Sequence, residues 1–201
     1  MFKKIAMTTL LGTSVLFAES GVGINVNETD FEVEGVLDSR NLAAMQTSST
    51  VFQLDANFIN NSKNNNDNNL LGVGIGATNA LEGVEGVELT FGAKFIWSTV
   101  DYKGEEEHFN ALPLLAKVRY TFPPLMFNIP PIALEGKVMY APGALSFGDS
   151  QNYSEFRASA DMEVIESVRI YAGYRNIVTG YKNDKNYVFN NGFYGGLKFV
   201  Y

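Results

Sequence analysis

The chain has 201 residues, no cysteine, and 15 basic against 22 acidic side chains. The missing cysteines exclude a disulfide framework, thiolate chemistry and zinc–cysteine sites. The formal charge of −7 gives no electrostatic footprint for nucleic acid.

Residues 1–18 read as a secretory signal peptide. Lys3 and Lys4 precede a mostly apolar run of 13 residues, Ile5 to Phe17, that ends at Ala18 before Glu19 and Ser20. The run is too short and too rich in Thr and Ser for a membrane-spanning helix, and cleavage is expected after Ala18. The remaining 19–201 form one expected domain with 13 basic and 22 acidic residues.

That domain reads as a series of strands. No later apolar stretch approaches the roughly 20 residues of a transmembrane helix, but alternation of apolar and polar residues recurs along its length. Strands are expected near Val22–Asn27, Phe31–Asp38, Val51–Asn60, Leu70–Thr78, Val87–Ser98, Ala111–Phe122, Ile132–Ala141, Tyr153–Val164, Ser167–Val178 and Gly192–Tyr201. Most resemble the roughly 9–11 residues with which a tilted strand crosses a bilayer. The expected fold is therefore all-β: a closed antiparallel transmembrane barrel of about ten strands. The count falls to about eight if the first pair is one bent strand or lies outside the wall.

The strand from Tyr153 is the cleanest. Phe156, Ala158, Ala160, Met162 and Val164 alternate with Glu155, Arg157, Ser159, Asp161 and Glu163. The next sets Val168, Ile170, Ala172 and Tyr174 against Arg169, Tyr171, Gly173 and Arg175. Pairing Val164 with Val168 around a three-residue turn keeps the apolar faces together and sets Glu163 opposite Arg169 and Arg157 opposite Arg175. At the end of the chain Phe193, Leu197, Phe199 and Tyr201 share one strand face, a pattern that resembles the C-terminal assembly signal of bacterial outer-membrane barrels.

Connections sort by length. Asn61–Asn69, Thr99–Asn110, Pro142–Asn152 and Thr179–Asn191 are long and polar, as expected of outer loops. Ala80–Gly86, Pro123–Pro131 and Ile165–Ser167 are expected as inner turns. Proline pairs close both strands that flank the apolar turn ending at Pro131, because proline cannot donate to a ladder. Trp97, Phe58, Tyr140, Tyr153 and Phe193 are expected in an outer aromatic girdle, and Tyr120, Phe122, Phe199 and Tyr201 in an inner one.

The polar faces carry the acids Glu32, Glu34, Asp55, Glu88, Glu135, Glu155, Asp161 and Glu163. The bases are Lys94, Lys117, Arg119, Lys137, Arg157, Arg169, Arg175 and Lys198. Such near-balance suits a narrow lumen, where buried ions must be paired. The expected interior is plugged by crossed ion pairs, with Glu155, Arg157, Asp161, Glu163, Arg169, Arg175, Lys117, Arg119 and Lys137 in the network. Gly72, Gly74 and Gly76 leave room on the lumen side for long side chains from other strands.

No motif points to catalysis. Gly72-Val-Gly-Ile-Gly-Ala77 fits a loose dinucleotide pattern but lacks the helix that chemistry requires. The run Asn64–Asn69 offers a calcium ion only Asp67 as a carboxylate. His108, beside Glu105–Glu107, could act as a base, but no serine stands in a triad context. No catalytic, cofactor-binding or metal-binding set is expected.

Gly21-Val-Gly-Ile-Asn-Val26, Ala111-Leu-Pro-Leu-Leu-Ala-Lys-Val-Arg-Tyr120, Glu135-Gly-Lys-Val-Met-Tyr-Ala-Pro142 and Tyr171-Ala-Gly-Tyr-Arg175 together resemble the YfaZ family of outer-membrane proteins. The resemblance implies an outer-membrane barrel and carries over no functional residues. The expected function is a non-enzymatic barrel with a structural or surface-interaction role in the bacterial outer membrane. A narrow pore or transporter and a barrel-type lipid-modifying enzyme are the alternatives. Expected partners are outer-membrane lipids and lipopolysaccharide. During biogenesis they are the secretion, periplasmic chaperone and barrel-assembly machinery. Nucleic acid is not among them, and oligomeric state stays open.

Overall fold

The computed structural model describes residues 20–41, 49–62, 68–102, 105–123, 130–182 and 186–201. The signal segment with Ala18, Asp67 and most of the proline-flanked turn lie outside these residues. The described part contains β1 (Gly21–Val26), β2 (Asp30–Asp38), β3 (Val51–Asn61), β4 (Asn68–Ala80), β5 (Val87–Tyr102) and β6 (Glu105–Ala111). It continues with β7 (Leu114–Thr121), β8 (Ile132–Ala141), β9 (Ser146–Phe147), β10 (Ser150–Ile165), β11 (Val168–Tyr181) and β12 (Asn186–Val200).

The ladders run β4-β3-β2-β1-β12-β11-β10-β8-β7-β5, and β5 pairs back to β4. All pairings are antiparallel. The result is a closed barrel with ten wall positions. The first strand pair belongs to the wall, since β1 bridges β12 and β2. Closure pairs each of these ten strands on both sides, as a sheet in hydrocarbon requires.

β6 and β7 share one wall position. Both pair with β5, β6 along its outer part and β7 along its inner part, with Leu112 and Pro113 between them. Proline cannot donate to the ladder. Instead its carbonyl accepts from Lys94 N at 3.0 Å, and Leu112 N donates to Leu145 O at 2.8 Å. Above this break the short β9 pairs with β6 and fills the wall where β8 has ended.

The strands run further outward than their alternation suggested. Within Thr99–Asn110, expected as a loop, residues 99–102 and 105–110 are ladder-paired ends of β5 and β6. The Asn61–Asn69, Pro142–Asn152 and Thr179–Asn191 loops likewise lose residues to strands at their ends. Polar residues obscure these extensions because both faces can carry them beyond the membrane, where period two no longer reports burial. The β10–β11 turn also differs. Ile165, rather than Val164, pairs with Val168, and a register shift follows Glu163. Only Glu166 and Ser167 form the turn, and Ser167 takes φ 66°. Inward from it, Glu163 opposes Arg169 and Arg157 opposes Arg175.

The two faces divide by chemistry. Ile75, Phe91, Leu114, Phe52 and Leu37 are exposed at 53–66% on the outer surface, and Val22, Ile24, Leu54, Val138 and Phe156 join them. So contiguous an apolar band is foreign to a water-facing surface and suits lipid. Trp97, Phe58, Tyr140 and Phe193 lie in that band towards the outer ends. Tyr153 does not. Its side chain is buried inside the barrel, so its place in the outer girdle is corrected. Its position in the alternation of β10, in phase with Glu155 and Arg157, accounts for this.

Candidate functional site

Among the described residues, the wall brings chemically active side chains together in the interior. The interior consists of two layers.

The inner layer is ionic and centres on Glu32 of β2. Arg157, four wall positions away on β10, reaches it with both terminal nitrogens at 2.8 and 2.9 Å. Asn57 and Asn25 donate to the same carboxylate at 2.7 and 2.9 Å, and Arg175 of β11 donates a further bond. Arg175 also reaches Asp30 at 2.5 Å. Arg157 donates through Nε to Glu155 at 2.5 Å, and Lys137 meets Glu155 at 2.9 Å. A carboxylate that takes charge-assisted donors from opposite walls ties the cross-section together.

Nearer the inner end, Asp161 accepts both Arg119 terminal nitrogens at 2.7 and 3.0 Å, and Arg169 lies 2.7 Å from it. Lys117 and Arg119 lie 3.7 and 3.6 Å from Glu135. Glu163 opposes Arg169 in the ladder. On the other side Lys94 pairs with Asp55 across β4. The β4 glycines permit this crossing, because a Cβ on Gly72 would fall 2.5 Å from Lys94 Cε and one on Gly74 would strike the Asp55 carboxylate.

The outer layer is apolar, which the charge pattern did not suggest. Ile59, Leu70, Ile96, Phe109, Met139, Tyr153, Ile177 and Phe189 pack together at 0–2% exposure. They come from β3, β4, β5, β6, β8, β10, β11 and β12, so the cluster spans the lumen from wall to wall. Phe109 contacts Tyr153 and Tyr181 with ring centroids 6.0 and 5.7 Å apart. Hydrogen bonds also cross here: Asn61 donates to Phe189 O at 2.7 Å and Asn68 to the Tyr187 hydroxyl at 2.6 Å. The sequence carried a signal of this layer. Phe58-Ile59, Leu70-Leu71, Ile96-Trp97 and Met139-Tyr140 are apolar doublets near the outer strand ends, where neither face is polar.

His108 lies on β6 opposite Thr99, exposed and turned away from the interior. Phe193, Leu197 and Phe199 project outward from β12, and Tyr201 follows the strand, its N–H donating to Ser20 O at 3.0 Å.

A family model described as YfaZ precursor matches residues 2–201. The chain belongs to the YfaZ family. Among solved structures, a NanC porin in a rhombohedral crystal form is similar to this YfaZ-family chain at 10% identity and a TM-score of 0.42, covering 91% of this chain and 99% of that one. No curated protein matches. In this YfaZ-family barrel the ionic layer and the apolar layer meet at Glu155, which stands opposite Met139 and Ile177, and among the described residues both are built from wall side chains.

Proposed function

We propose that this protein is a non-conducting, non-enzymatic barrel of the bacterial outer membrane, with a structural or surface-interaction role in the envelope. One observation carries the reading: an apolar layer drawn from eight wall strands fills the lumen above a crossed ionic layer. An ion crossing this path would shed much of its water among closely packed Ile, Leu and Phe side chains, which is costly. The apolar outer band and its end aromatics support lipid and lipopolysaccharide as surroundings. The outward aromatic face of β12 supports recognition by the barrel-assembly machinery after export and removal of residues 1–18.

Purified protein reconstituted in planar bilayers tests this. We expect no stepwise conductance, and a mature mass that begins at Glu19. Ohmic channels from the wild-type protein would instead establish a pore.

A further inference from the structure

The ladder registers set four cations directly opposite one another on adjacent strands: Lys117, Lys137, Arg157 and Arg175. Like charges in this relation repel, so each needs a counter-charge. Arg175 has Asp30 and Glu32, Arg157 has Glu32 and Glu155, and Lys137 has Glu155. Lys117 is the exception. Its carboxylate, Glu135, stands 3.7 Å away, beyond hydrogen-bond length, and is shared with Arg119.

Lys198 reaches the same space from β12. Among the described residues it makes neither a hydrogen bond nor an ion pair, although Glu34 lines the same space. Both lysines line two cavities of about 100 and 110 Å³ in the inner half of the lumen. That volume admits several waters or one small oxyanion. The first cavity is lined by six cations and three carboxylates and the second by five cations and four carboxylates, so the excess positive charge is small and suits one compact anion rather than a polyanion.

We propose that this inner cavity binds a small oxyanion of the phosphate or carboxylate type, with the Lys117 and Lys198 ammonium groups as its donors. An oxyanion there completes the counter-charge of the cation row and gives both lysines charge-assisted bonds. The site does not depend on a sealed lumen, since a conducting barrel with these side chains would hold the anion equally well.

The test uses the full barrel in detergent micelles and inorganic phosphate, at constant ionic strength set with sodium chloride. The temperature at which electrophoretic mobility shifts from the folded to the unfolded form should rise saturably with phosphate. Lys117→Gln and Lys198→Gln should each weaken the half-saturation concentration by about tenfold, the loss of one charge-assisted bond. A response that does not saturate, or that survives in both variants, is the general salting effect of phosphate and overturns the proposal. Equilibrium dialysis of the wild-type protein against labelled phosphate needs no variant. Absence of retained phosphate there overturns it as well.

Discussion

Glu32 lies at the meeting point of β1, β2, β3, β10 and β11 side chains, fully buried and accepting from two arginines and two asparagines. A buried ion pair is weak evidence for stability, because desolvation offsets most of its attraction. Removing one partner is different, since it strands the others. Glu32→Ala leaves Arg157 and Arg175 facing each other with less counter-charge, and should destabilise the barrel by about 3–5 kcal/mol. Urea unfolding of micellar protein measures this; an unchanged midpoint would mean that the remaining carboxylates, Asp30 and Glu155, suffice. At this scale the sequence told which charged strand residues face inward, because parity along a strand decides that, while Tyr153 was set in the outer girdle against its own parity. The sequence did not tell who meets whom. The Glu32–Arg157 pair is a chord across the ring, and its length depends on where both strands stand. Asp30 escaped notice because Asn27–Asp30 reads as turn residues, whereas Asp30 opens β2 and binds Arg175.

The β10–β11 hairpin shows what an element does and does not reveal. Matching apolar faces gave the opposition of Arg157 with Arg175 and of Glu163 with Arg169, both seen in the ladder. The tip escaped the same logic, because a residue beyond Glu163 slips out of register and only two residues turn the chain. Ser167 there adopts φ 66°, a left-handed conformation that costs a residue with a Cβ roughly 1–2 kcal/mol. Ser167→Gly should therefore raise stability by up to about 1 kcal/mol, after glycine's larger unfolded-state entropy is set against the relief. A thermal midpoint that falls would show that the serine hydroxyl contributes more than its backbone costs. The β6–β7 break was hidden for another reason. Leu112 and Pro113 interrupt the ladder of one wall position for two residues, and the apolar alternation passes over them unaltered.

At the scale of the whole molecule, all-β class, closure and the lipid-facing band were legible, because they follow from a pattern repeated along the whole chain. The apolar outer layer was not. It needs both faces of a strand to be apolar for different reasons, lipid on one side and packed lumen on the other, and a single-face reading assigns such doublets to the membrane. The orientation can be checked by charge. Ile75, mid-way along β4 and 66% exposed, should tolerate arginine poorly. Ile75→Arg is expected to cost about 2–4 kcal/mol in a bilayer, the penalty for a basic residue on the lipid face near the midplane. A variant that folds into vesicles as well as wild type would place that face in water.

The join between β1 and β12 brings together segments far apart along the chain, Gly21 beside Val200. The Glu32 and Asp30 carboxylates lie on one side of that join, and Arg157, Arg175 and Asn190 on the other. Until the two edges meet, these groups remain hydrated. Their water is lost in the same event that supplies their partners. Zipping the cylinder shut is thus a cooperative ionic step, and a half-assembled ring has little to gain from staying half assembled.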